Sequence, residues 1–143
     1  MRRALCLPLL LLLGLVLPSA AAACSCVRVP EAERLRDADA AFAGTLISRR
    51  AVDPESPGQS TGDPFIHRYR VDRRYKGRLG RTVRVRTVRD EATCGVPARR
   101  RIALYLTRAN GRWQSSLCAS TTRRAMRRAA RGAGSATAGG CPA

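Results

Sequence analysis

The stretch HRYRVDRRYKGRLGRTVRVRT, His67 to Thr87, decides the fold class. His67, Tyr69 and Val71 alternate with Arg68, Arg70 and Asp72, and Val83 and Val85 alternate with Arg84 and Arg86. Successive side chains of an extended backbone point to opposite sides, so each run reads as a strand with one apolar and one charged face. Lys76-Gly77 and Leu79-Gly80 lie between the runs as a turn.

The same period recurs on both sides. Upstream, Phe42, Gly44, Leu46 and Ser48 share one parity and Ala43, Thr45 and Ile47 the other, which predicts a strand. Asp53 to Pro64, DPESPGQSTGDP, is a loop by composition. Downstream, a loop holds Cys94-Gly95 and Pro97, then Ile102, Leu104 and Leu106 form an apolar face. Asn110-Gly111 marks a hairpin turn into a last strand, Arg112 to Leu117, that ends at Cys118. Five strands at this spacing suit a small antiparallel barrel or sandwich. Two helices flank them: Glu31 to Asp37, and Arg123 to Arg131 after a Ser120-Thr121-Thr122 cap. In the second, Ala125, Met126 and Ala129 face the barrel and Gly132 and Gly134 end the helix. Residues 132–143 read as a flexible tail.

Residues 1–23 read as an export signal: Arg2 and Arg3, an apolar run to Leu17, and Ala21-Ala22-Ala23 as a small-residue cleavage site. Its removal leaves about 120 residues, enough for one domain, placed at 24–131. No second apolar run follows, so a soluble secreted chain without a transmembrane segment is expected. Cys6 leaves with the signal, and Cys24, Cys26, Cys94, Cys118 and Cys141 remain. In an exported chain without a histidine cluster they read as a disulfide framework with one thiol left over. Cys24 and Cys26 are too close in sequence to bond each other without strain, so each is expected to reach a distant partner. Ala-Ala-Ala-Cys is also a degraded lipoprotein signal, which gives lipid anchoring through Cys24 at the cell envelope as an alternative.

The formal charge of +17 falls to +15 when Arg2 and Arg3 leave with the signal. Lys76 is the sole lysine, a bias that resembles GC-rich coding more than selection for a partner. So basic a surface still favours polyanions such as glycans, and a secreted glycan-binding module is the second reading of the chain. Specific nucleic-acid binding is not expected, because the aromatic residues are few and scattered while single-strand sites stack bases on them. Catalysis is not expected either. His67 is the one histidine, the ten carboxylates are scattered, and no phosphate-cradling loop or zinc spacing is present.

One family brings these features together. A Cys-x-Cys after an export signal, RYRVDRRYKG, an isolated Cys94-Gly95, WQSSLC, a basic helix and Gly139-Gly140-Cys141 stand in this order over nearly the whole mature chain. Together they resemble the inhibitory N-terminal domain of the tissue inhibitors of metalloproteinases and the related netrin-like domains. The resemblance implies an all-β fold, a five-stranded OB-fold Greek-key barrel with short flanking helices. It also implies disulfides Cys24–Cys94 and Cys26–Cys118. The family's third bridge would need a cysteine near Arg36, so Cys141 has no counterpart to bond.

The implied activity is inhibition of a zinc metalloendopeptidase by a monomer. The amine and carbonyl of Cys24, first residue after cleavage, would chelate the partner's catalytic zinc. Ser25 would enter the primary specificity pocket, with Cys26, Val27 and Arg28 continuing the contact and Thr93 and Cys94 forming a neighbouring ridge. The zinc belongs to the protease, and the chain itself needs no cofactor.

Overall fold

Strand β1 (Ala40–Ala51) carries small apolar side chains on both faces of its first half, and the architecture follows from that. The computed structural model describes residues 24–54 and 60–137. The expected signal and Cys141 lie outside them. Five strands close a barrel: β1, β2 (Pro64–Lys76), β3 (Thr82–Val88), β5 (Arg112–Gln114) and β4 (Arg101–Ala109), with β4 pairing back onto β1. All neighbours are antiparallel except β3 and β5. The fold is therefore the expected all-β, OB-fold-like barrel. Two helices cover it, α1 (Glu31–Asp37) and α2 (Arg123–Thr137).

Closure requires β1 to bend. It pairs with β2 from Ala41 to Ala51 and with β4 from Ala40 to Thr45, and three register shifts against β2 let one strand serve both edges. Alternation then sorts the apolar residues into two layers. Ala40 and Phe42 point inward with Tyr69, Val83, Val85, Ile102, Leu104 and Leu106 to fill the barrel. Ala41 and Ala43, with Ala103 and Tyr105 of β4, point outward beneath Leu35 of α1 and Met126 and Ala129 of α2. Alanines let the helices approach the sheet closely. Gly77 ends β2 at φ 73°, where a Cβ would stand 2.6 Å from the Asp39 carbonyl oxygen.

Several boundaries differ from the sequence reading. The last long strand ends at Gln114 rather than Leu117, because the Ser115 hydroxyl bonds the Tyr105 carbonyl and the chain turns through a 3-10 turn at Leu117–Ala119. An unexpected sixth strand, β6 (Ser120–Thr121), pairs with β4. Helix α2 starts at its expected cap, with Thr122 Oγ1 accepting from the Ala125 N–H, but continues past Gly132 and Gly134 to Thr137. Each glycine costs a helix only about 1 kcal/mol, and neither stops this alanine-flanked one. The Asn110-Gly111 hairpin turn is as expected, with both residues at positive φ. Among the described residues no helix is long and apolar enough to cross a membrane.

His67 lies inside the barrel and is wholly buried. Its Nε2 accepts from Arg49 Nε at 3.2 Å, which leaves Nδ1 to carry the proton and donate to the Tyr69 hydroxyl at 3.0 Å. Burial, and then the Arg49 charge, lower its pKa from 6.5 to about 4. Between those values the unfolded chain takes up a proton that the folded chain refuses. Stability contributed by neutral His67 is thus complete above pH 6.5, falls as pH drops toward 4, and is lost below that, by about 3 kcal/mol at most. Urea midpoints measured from pH 7 to 4 should show this fall in the wild type and a flatter profile for His67→Gln. Parallel profiles would remove His67 as its source.

Candidate functional site

Strand order builds the site. Because β3 neighbours β5 while β4 neighbours β1, the connection from β3 to β4 must cross one end of the barrel, and it carries Cys94. The chain leaving β5 returns to the same end and carries Cys118. The two segments touch: the Leu117 N–H donates to the Cys94 carbonyl at 2.8 Å. The N-terminal segment is fastened across them by Cys24–Cys94 and Cys26–Cys118, each with Cα atoms 5.4 Å apart.

The structure thus brings together all the residues singled out at this end. Cys24 is half-buried, whereas Ser25, Cys26, Val27 and Arg28 are exposed. Val27 is 82% exposed and Val29 follows it at 36%. Thr93 is exposed beside half-buried Cys94, so 24–28 and 93–94 form two adjoining ridges. A groove of about 550 Å³ runs along the first, lined by Val27, Val29, Tyr105, Gln114, Ser116 and Cys118. The Sγ atoms of Cys24, Cys26 and Cys118 lie within 4.8 Å of one another. All three are in disulfides, so none is the thiolate that a metal would need.

The supporting residues were not visible as such in the sequence. Asp90 Oδ1 accepts from the Ala92 N–H at 2.9 Å and starts the turn Glu91–Thr93. Thr93 Oγ1 lies 2.8 Å from the Thr61 carbonyl and 3.0 Å from that of Asp90. Cys94 then sits in the left-handed region at φ 67°. On the other side, Arg34 Nη2 donates to the Cys118 carbonyl at 2.5 Å. Glu31 accepts from the Tyr105 hydroxyl at 2.7 Å and from Thr121 Oγ1 at 3.1 Å. Burial first, then Glu31, raises the Tyr105 pKa, so Tyr105 stays a donor at any physiological pH. The i, i+3 pair of Glu31 and Arg34 was the one sequence signal, and it is common on helices.

No family profile matches this chain. No curated protein matches it either.

Gly95 sets the ridge angle. A Cβ there would stand 2.5 Å from the Val88 carbonyl oxygen and 2.6 Å from that of Asp90, both backbone atoms that cannot swing aside. Gly111, at φ 72° in the hairpin, has open space around its own Cβ position. Gly95→Ala should therefore destabilise by roughly 2 kcal/mol or more, and Gly111→Ala by about 1 kcal/mol from backbone conformation alone. Denaturant midpoints of the two variants check the order. Equal losses would mean that the Cys94 loop has room to move.

Proposed function

We propose that the mature chain is a secreted inhibitor of zinc metalloendopeptidases that acts through the amine and carbonyl of Cys24. The observation that carries this reading is the paired anchoring of Cys24 and Cys26 to two adjoining loops, with exposed Ser25 held between them. Anchors on both sides of one residue fix the direction of the backbone, so the ordering cost of binding is met during folding.

The chemistry needs little more. A catalytic zinc keeps one position for water beside three protein ligands. Cleavage after Ala23 would give Cys24 a free α-amine of pKa about 7.7 to 8.0, near enough to neutrality for zinc to bind its neutral form. Amine nitrogen and carbonyl oxygen close a five-membered chelate and displace the water. Ser25 enters the primary pocket, and its small side chain leaves a deep pocket partly empty, which broadens selectivity. Val27 and Arg28 extend along the protease cleft, and Thr93 and Cys94 supply the second ridge. The disulfide also bears on the lipid-anchored reading: a thioether at Cys24 would need the sulfur that Cys94 occupies.

Adding one alanine before Cys24 removes the α-amine from the chelate and leaves the fold untouched. The correctly processed chain should inhibit zinc endopeptidases, and the extended chain should lose at least about 100-fold in affinity, the equivalent of one lost metal contact. Inhibition that survives the extension would rule out the chelate. Intact mass of the mature protein tests the two disulfides and the unmodified amine together.

A further inference from the structure

The outer surface of the sheet carries an arrangement that the inhibitory site does not use. Because Val83, Val85 and Thr87 point into the barrel, Arg84 and Arg86 project outward from β3. On β2, His67 and Tyr69 point inward, so Ile66 and Arg68 project outward. The register sets Arg68 directly opposite Arg84 and Ile66 opposite Arg86, while Arg50 of β1 faces Ile66 from the other side. Like charges directly opposite on neighbouring strands repel, so this pairing weakens the sheet unless something outside neutralises it. Arg50, Arg84, Arg86 and Arg112 line a depression of about 470 Å³ whose floor is Ile66 and Trp113. Among the described residues none of Arg50, Arg68, Arg84, Arg86 and Arg112 is paired with a carboxylate. A coding bias would explain arginine in place of lysine, but not five guanidiniums on one face that form no ion pair among the described residues.

We propose that this face is a binding site for an anionic polysaccharide bearing sulfate or carboxylate groups. Two residues apart on a strand, Arg84 and Arg86 present charges about 7 Å apart, and Arg68 stands about 5 Å across from Arg84. That is a lattice of cations for a chain with repeating anions. Each guanidinium fork grips a sulfate or carboxylate through two donors, which an ammonium cannot do. A single strand of nucleic acid fits less well, since Trp113 is the one aromatic ring in the depression and the Arg108 guanidinium lies 5.1 Å from its centroid. A lipid surface fits less well too, because Ile66 and Trp113 are half-buried among the arginines and Val52 alone of the apolar lining is exposed. The proposal does not rest on protease inhibition.

The test uses the mature chain, Cys24 to Ala143, with a heparin oligosaccharide as probe. One variant carries Arg68→Gln, Arg84→Gln and Arg112→Gln. The other has the same net charge and carries Arg124→Gln, Arg127→Gln and Arg128→Gln on α2. Arg86 is left in place because it also borders the Cys94 loop. The sheet variant should lose at least about tenfold in heparin affinity, with a shallower salt dependence, and the helix variant less than about threefold. Equal losses would reduce the binding to net charge and overturn the site. Heparin protection of wild-type arginines from phenylglyoxal, mapped by mass spectrometry, needs no variant to fold. Protection should fall on Arg68, Arg84 and Arg112, and protection of α2 instead would overturn the proposal. A single-stranded oligonucleotide of equal charge and vesicles containing phosphatidylglycerol serve as competing probes. Tighter binding of either would overturn the polysaccharide assignment.

Discussion

Everything in this barrel depends on β1 holding two edges and two faces at once. Its N-terminal half hydrogen-bonds to β2 on one side and to β4 on the other, so no edge remains open there. Its side chains alternate between the barrel interior and the layer beneath the helices. A strand so placed has no solvent face, which is why Ala40 to Ala43 are all buried and all apolar. The bend that allows this closure brings β4 beside β1, forces the β3–β4 connection across the barrel end, and so places Cys94.

The cysteines then turn topology into display. Helix α1 begins at Glu31, five residues after Cys26, and its Glu31 and Arg34 reach back to the segment that carries Cys118. The N-terminal residues are thus held from both ends of the same short stretch, by sulfur at 24 and 26 and by the packed helix after Pro30. Two anchors that close loops of 70 and 92 residues in sequence restrict the unfolded chain strongly. They also leave Ser25 and Val27 few alternatives to their exposed positions.

Much of this was legible in the chain itself, wherever alternation was clean. The parity of Ile102, Leu104 and Leu106 foretold their burial, and the span of α1 matched its sequence boundaries because Pro30 starts it and Ala38 leaves it extended. The faults lie where tertiary contacts override local signals. Nothing local says that Arg112 to Leu117 stops pairing at Gln114; the Ser115 contact with Tyr105, ten residues back, decides it. Alternation sets His67 on the same face as Tyr69 and Val71, but nothing local says that Arg49, eighteen residues back, grips it there. The disulfide partners came from the resemblance alone, because spacing left several pairings open. Asp90 and Arg34 support the ridge through a backbone amide and a backbone carbonyl, and Glu31 through hydroxyls 74 and 90 residues away, partners that leave no local mark in a sequence.

The two surfaces are not remote from one another. Arg86 lines the arginine-rich depression and also a second one that includes Thr93 and Cys94. A polyanion seated on the sheet would therefore end beside the ridge that a protease would meet. Its negative charge would fall within about 10 Å of that contact, inside the range where charges act at physiological salt. Such a ligand would hold the chain where anionic glycans are dense and, under the proposed function, would also repel or attract a protease according to that enzyme's own rim charge. The positive face and the N-terminal ridge thus become parts of one surface, with Arg86 at the boundary where concentration on a matrix and recognition of a target would meet.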